Sequence, residues 1–210
     1  MRLVGVLGGT FDPVHIGHIR LAVELNERLG FDHTRLIPNG IPNHREKAEA
    51  SDELRLAMLQ AASDIPALKV DDREIRRAGV SYMVDTLSSL RSDFPADAFC
   101  LIVGLDAYFG LPKWHRWQEI FELAHVIVAT RPNAELHGDD VLENAVANRI
   151  VDSAAGLAGV SNGKVLFIDI PQLEISSTDI RRRRREGLNV SYLVPAGTLN
   201  IIESHNLYAN

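Results

Sequence analysis

Along the chain, short apolar runs alternate with stretches in which apolar residues recur at helical spacing. The runs Leu3–Leu7, Thr34–Pro38, Leu68–Asp71, Phe99–Val103, Val126–Thr130 and Val165–Ile168 have the length and flanks of buried strands. Between the first two, residues 14–29 carry Ile16, Ile19, Leu21, Ala22, Leu25 and Leu29 on one face, with Gly30 placed as a C-cap. Residues 52–62 predict a second helix, and Ser81 an N-cap for a third. Trp117, Ile120, Phe121 and Ala124 keep helical spacing, which assigns Trp117 to the core, whereas Trp114 falls off that stripe. A helix is predicted over 139–158, another after Ser176 closed by Gly187, and a last one reaching His205. Strands alternating with helices predict an α/β fold: a Rossmann-like, doubly wound parallel sheet of about six strands, with ligands outside the carboxyl ends of the strands.

Composition narrows the class. With 210 residues, 46% hydrophobic and 24% charged, the chain reads as one domain, 1–210, with a C-terminal helical part from about 176 to 210 packed on it. No apolar run approaches the roughly 18 residues of a membrane span, and no leader pattern precedes the first strand. The one cysteine, Cys100, lies inside an apolar run and predicts core packing in a reducing compartment, so the expected location is cytoplasmic. A formal net charge of −6 argues against a general nucleic-acid binder. Anionic substrates would need local positive charge, present in Arg181–Arg185 and in His44, Arg45 and Lys47. Five successive arginines step about 100° each around a helix, so Arg182–Arg185 read mainly as a solvated face.

Candidate chemistry sits after the strands. Gly8-Gly9 ends the first run with the backbone freedom to approach a phosphate chain, and His15 and His18, three residues apart, put both rings on one face of the helix start. Amides at that start, with the positive end of the helix dipole, favour phosphate. Neither a Walker P-loop nor a G-x-G-x-x-G occurs. Gly104, closing the fourth run, permits close approach of a nucleotide. Asp106 suits a ribose hydroxyl or a magnesium-bound water, with a helix cap as the alternative. Ser176 or Ser177 can cap the next helix, whose first amides form a second phosphate site. Trp114 is free to stack on a flat ring.

Gly8-Gly9-Thr10-Phe11-Asp12-Pro13 with His15-Ile16-Gly17-His18 resembles the signature of the H-x-G-H nucleotidyltransferase superfamily, and its spelling is most similar to bacterial nicotinate mononucleotide adenylyltransferases. Ile175-Ser176-Ser177-Thr178-Asp179-Ile180-Arg181 matches the superfamily's second motif without substitution. Val103–Asp106, Glu74–Leu87, Thr130-Arg131-Pro132 and the stretch from Tyr192 to Tyr208 resemble further segments. Met83 stands for a threonine, and Pro42-Asn43-His44-Arg45 replaces P-P-H-K, so Arg45 keeps charge but not geometry.

The resemblance implies catalysis by His15, His18 and Arg181. It implies ATP binding by Gly8, Gly9, Thr10, Phe11, Gly104, Asp106, Arg131, Ile175, Ser177 and Thr178, and nicotinate mononucleotide binding by His44, Arg45, Thr86, Trp114 and His115. Mg2+ would be held mainly by ATP phosphates, with no protein metal ligands. The implied reaction is adenylyl transfer from ATP to nicotinate mononucleotide, giving deamido-NAD and pyrophosphate, without membrane or nucleic-acid partners. Homo-oligomerisation stays open. Rival readings are a nicotinamide mononucleotide acceptor, a phosphopantetheine adenylyltransferase or cytidylyltransferase, and a nucleotide-sensing or RNA-binding regulator using the arginine run.

Overall fold

Every side chain from Ala98 to Val103 is buried, as a strand covered on both faces requires. Alternation sends Phe99, Leu101 and Val103 into one core and Cys100 and Ile102 into the other. The computed structural model describes residues 1–42, 48–77, 79–131, 140–171 and 173–209. In chain order its elements are β1 (Leu3–Gly9), α1 (Ile16–Leu29), β2 (His33–Pro38), β3 (Ile41–Pro42), α2 (Asp52–Ala62), β4 (Leu68–Val70), α3 (Arg73–Arg76), β5 (Val80–Ser81), α4 (Met83–Asp93) and β6 (Ala98–Gly104). There follow α5 (Leu105–Phe109), α6 (Ile120–Leu123), β7 (His125–Thr130), α7 (Asp140–Val146), β8 (Ile150–Val151), β9 (Val165–Asp169), α8 (Ser177–Arg185) and α9 (Ala196–Ser204).

The main sheet has seven parallel strands in the order β4-β2-β1-β6-β7-β9-β8, and β3 pairs with β5 apart from it. One core lies under α1, α2, α8 and α9 through Leu25, Met58, Ile180 and Ile202. The other lies under α4, α6 and α7 through Leu87, Leu90, Phe121 and Leu142. The expected doubly wound α/β architecture is therefore present, with one strand more than the six apolar runs suggest. No helix among the described residues is long and apolar enough to cross a membrane.

Local signals behave as their chemistry dictates at several ends. Gly30 closes α1 at φ 64°, Ser51 caps α2 through Leu54 N, and Gly187 follows α8 at φ 70°. Three expectations change. The predicted helix over 139–158 is α7, then β8, then a 3₁₀ turn at Ala154–Leu157, with Asp139 outside the described residues. The β-branched pair Ile150 and Val151 joins the sheet edge in register with Val165 and Leu166, a tertiary pairing that overrides the helical period. Ser81 is not a helix cap: it lies in β5, its hydroxyl accepts the Gly40 N–H at 3.1 Å, and Tyr82 takes the cap position of α4. Trp117 is only half-buried, packed edge-to-face on Phe121 at 6.1 Å.

The C-terminal helix is fastened to the sheet layer through α2. Thr198 Oγ1 donates to the Met58 carbonyl at 3.2 Å, and a Cβ at Gly197 would stand 2.8 Å from the Ala61 carbonyl oxygen, so the two helices touch backbone to backbone.

Candidate active site

Strand order reverses between β1 and β6: β2 and β4 extend the sheet on one side, β7, β9 and β8 on the other. A crevice opens outside the carboxyl ends of strands at such a switch point. Gly8 and Gly9 end β1 there, and Gly104 ends β6. A Cβ on Gly8 would stand 2.7 Å from Met83 Cε, the end of a flexible side chain, and one on Gly9 would stand 3.1 Å from the Phe11 ring, so a side chain at either position would press on its neighbour. At Gly104 nothing lies within 4 Å, which leaves room on the ligand side.

His15 is the N-cap of α1 and His18 its third residue. Their rings stack at 3.6 Å with 23° between planes, and Phe11, held at φ 49°, packs its edge on His18 at 5.0 Å. His15 N–H donates to His18 Nδ1 at 3.3 Å, which makes Nδ1 an acceptor and leaves Nε2 as the nitrogen that can donate. His15 is 6% exposed, and burial pulls its pKa down to about 4, so it is neutral at pH 7. Its Nδ1 is buried without a partner and faces Gly17, where a Cβ would come within 3.0 Å. Nε2 is then the nitrogen left for a ligand. The glycine of the H-x-G-H spacing is thus the residue that lets the first ring sit against the helix.

The start of α1 is less open than the sequence suggests. Ile16 N–H donates to the Leu193 carbonyl at 3.0 Å, His15 N–H to His18, and His18 N–H to the His15 carbonyl at 3.0 Å. The segment before α9 folds back over this helix start, so imidazole rings rather than these amides are presented to an anion.

The start of α8 comes to the same crevice. Ser176 Oγ accepts Asp179 N–H at 3.1 Å as the cap, and Ser177 Oγ donates to the Pro13 carbonyl at 2.9 Å, tying this motif to the first. Thr178 is exposed in the first turn. His15, His18, Gly104, Ala129, Ile170 and Ile175 line one cavity of about 190 Å³. Arg181 is directed by two oxygens: Nη1 donates to the Asp12 carbonyl at 2.8 Å and Nε to Glu49 Oε1 at 2.7 Å. Arg185, one turn on, holds both Glu49 oxygens at 2.5 Å. Partial burial would raise the Glu49 carboxyl, but these guanidiniums outweigh it and hold it below the ordinary carboxylate value. Arg182 and Arg183 are bound to Asp179, and Arg182 also to Glu186, so the arginine run is extensively neutralised by carboxylates.

The remaining expected residues lie in segments that follow β1, β6 and β7, or in α4. Thr10 Oγ1 accepts from Asn39 Nδ2 at 3.4 Å, Asp106 is exposed in α5 just beyond Gly104, and exposed Arg131 pairs with Glu174 at 3.5 Å. Trp114 is half-buried against the second core, and His115 lies 4.3 Å from the Tyr82 ring. Thr86 is fully buried, with its hydroxyl donating to Glu74 at 2.6 Å and its amide to the Tyr82 carbonyl at 3.2 Å. Its side chain and amide are therefore both engaged within the protein. His44 and Arg45 lie outside the described residues.

Sequence reasoning missed the scaffold behind these residues. Arg55, wholly buried in α2, donates to the Thr10 carbonyl and the Asn39 carbonyl at 2.6 Å each and to Asp52 at 2.7 Å. A charge one turn before Met58 and Leu59, on the face they bury, was the available signal. Asp12 receives Glu49 N–H at 2.8 Å, Ala50 N–H at 3.1 Å and the Tyr208 hydroxyl at 2.7 Å. Burial and the neighbouring Asp12 raise the Tyr208 pKa, so that hydroxyl remains a donor.

The cytidylyltransferase-like family model matches residues 6–183. A relative from Methylococcus capsulatus, named probable nicotinate-nucleotide adenylyltransferase, is 44% identical over 209 residues, covering 99% of this chain and 100% of its own. One of the same name from Pseudomonas putida is 41% identical over 210 residues, covering 99% of this chain and 95% of its own. Among solved structures, Plasmodium falciparum nicotinic acid mononucleotide adenylyltransferase complexed with NaAD is similar at TM-score 0.72 and 16% identity, over 99% of this chain and 98% of that one, a likeness of fold. With the family model spanning most of the chain and identity sustained end to end, this chain belongs to the cytidylyltransferase-like nucleotidyltransferases, in the group of nicotinate-nucleotide adenylyltransferases.

Proposed function

We infer that this chain transfers the adenylyl group of ATP to nicotinate mononucleotide, releasing pyrophosphate and forming deamido-NAD. The observation that carries the reading is the shared cavity at the switch point, lined from the first motif by His15 and His18, from β6 by Gly104 and from the second motif by Ile175. The 5′-phosphate oxygen of the acceptor attacks the α-phosphorus in line, and the bond from that phosphorus to the bridging oxygen of the leaving pyrophosphate breaks. A phosphate nucleophile is already ionised at neutral pH, so no base is required. The protein positions the two phosphates and stabilises charge on the triphosphate.

In this reading His15 and His18 donate from Nε2, Arg181 neutralises phosphate oxygens, and Thr178 and Ser177 present the start of α8. Gly8, Gly9, Thr10 and Phe11 form the floor under the phosphates, and Arg131 lies beside the adenine. Magnesium carried by the triphosphate would neutralise the charge that builds on the leaving group. Asp106, an exposed carboxylate at the end of β6, fits a water on that ion or a ribose hydroxyl. Trp114 would stack on the pyridine ring and the His115 backbone would meet its carboxylate, while Thr86 shapes the wall from behind through Glu74. His44 and Arg45 would take the acceptor phosphate.

The test is pyrophosphate release from ATP and magnesium with nicotinate mononucleotide, nicotinamide mononucleotide and phosphopantetheine offered separately. Strong preference for the first is expected. Preference for another acceptor would keep adenylyl transfer and overturn the pyridine site.

A further inference from the structure

The Glu49 carboxylate sits where an anionic ligand of Arg181 would sit. Glu49 occupies Nε of Arg181 at 2.7 Å, while Nη1 of the same guanidinium is independently fixed by the Asp12 carbonyl at 2.8 Å. Asp12 is in turn anchored through its carboxylate by Ala50 N–H, Glu49 N–H and Tyr208, which fixes the residue whose carbonyl meets Arg181, whereas the Glu49 side chain is 40% exposed. Arg181 and Arg185 lie four residues apart on one face of α8, and Glu49 bridges them, with both its oxygens already on Arg185. Two contacts on Arg181 thus differ in kind: one is built into the backbone, the other is a side chain that can leave without losing its second partner.

We propose that Glu49 is a positioning residue that holds the place of a nucleotide phosphate on Arg181 and withdraws onto Arg185 when ATP binds. The proposal rests on Arg181 contacting the triphosphate, as inferred above. Exchange keeps Arg181 neutralised and oriented before ATP arrives, so the guanidinium need not be ordered at the moment of binding. ATP must displace a competing carboxylate, and Arg185 lowers that cost by giving the carboxylate somewhere to go. Arg185 therefore acts on ATP affinity through Glu49 rather than by touching phosphate.

The experiment is a double-mutant cycle read by equilibrium binding of ATP with magnesium and no acceptor, beside thermal unfolding of each variant. Both side chains are about two-fifths exposed, so Glu49→Gln and Arg185→Gln are expected to leave the unfolding temperature nearly unchanged. Glu49→Gln should tighten ATP binding about two- to fivefold, the range an exposed ion pair supports. Arg185→Gln should weaken it by a similar factor in the wild-type background and have no effect once Glu49 is Gln. Equal weakening by Arg185→Gln in both backgrounds would make Arg185 a direct phosphate ligand and overturn the exchange. So would unchanged or weaker ATP binding in Glu49→Gln. A wild-type protein that binds ATP and releases pyrophosphate while the cycle shows no coupling loses only this proposal; one that does neither loses the proposed function with it.

Discussion

At the scale of single residues, the H-x-G-H spacing has a stereochemical reason. Gly17 allows the His15 ring to lie against the helix, and the His18 ring stacks on it at 3.6 Å. Gly17→Ala would push a Cβ to 3.0 Å from His15 Nδ1, and the ring must yield. Because a displacement of about 1 Å in a positioned group can cost about a hundredfold and the contact asks for a fraction of that, steady-state assay of Gly17→Ala should show kcat lowered severalfold to about tenfold with the unfolding temperature little changed. His18→Ala removes the Nε2 donor itself, and loss of one such donor costs about a hundredfold or more in turnover. Near-normal turnover in a folded His18→Ala protein would remove His18 from the site. Both histidines were legible as a pair from the sequence, since spacing alone sets two rings on one helix face. That His15 is neutral was not, because its pKa near 4 comes from burial that exists only in the folded chain.

At the scale of elements, the second motif announced its own helix: Ser176 caps α8 as expected, through Asp179 N–H. Ser176→Ala should cost about 1 kcal/mol in urea denaturation and raise KM for ATP, since the same turn presents Ser177 and Thr178. By contrast, the role of α2 was hidden. Its Arg55 pins the loops after β1 and β2 by their carbonyls, a job no local pattern encodes because Thr10 and Asn39 lie far from it in sequence. Removing Arg55 strands buried acceptors, so Arg55→Ala should lower stability by about 3 kcal/mol in the same denaturation experiment. Arg55→Lys should rescue little, because one ammonium cannot span Thr10, Asn39 and Asp52. The α7–β8 region shows the same limit from the other direction: Ile150 and Val151 are strand residues only because β9 offers them an edge.

For the whole molecule, burial of histidines makes stability depend on pH. His15, His33 and His125 all have pKa values lowered by desolvation, in His33 against the pull of Asp32 and in His125 against that of the Val160 carbonyl. The His125 geometry agrees with a neutral ring, since Nδ1 accepts Lys164 N–H at 3.2 Å while Nε2 faces the Val160 carbonyl. As pH falls through about 6.5 the unfolded chain takes up protons that the folded chain refuses, so the stability contribution is complete above that pH and declines towards pH 4. From its pKa near 4, His15 alone contributes on the order of 3 kcal/mol to that decline. Glu74, whose pKa burial raises, opposes it in the lower part of the window. Urea midpoints measured from pH 7 to pH 5 should fall, and a flat profile would refute the buried neutral histidines. By itself the sequence determined the alternation of strands and helices and the two phosphate-facing motifs, because hydrophobic period, glycine turns and cap residues act over a few neighbours; the class of reaction came from the resemblance of those motifs to the H-x-G-H nucleotidyltransferases. Only the tertiary structure decided that β1 and β6 adjoin to open the crevice, that the Ile16 amide of α1 is closed by Leu193, and that Arg181 is held by Asp12 and Glu49 with Tyr208 behind Asp12. Those contacts join residues up to 196 positions apart, and their strength comes from burial and geometry that exist only once the chain has folded.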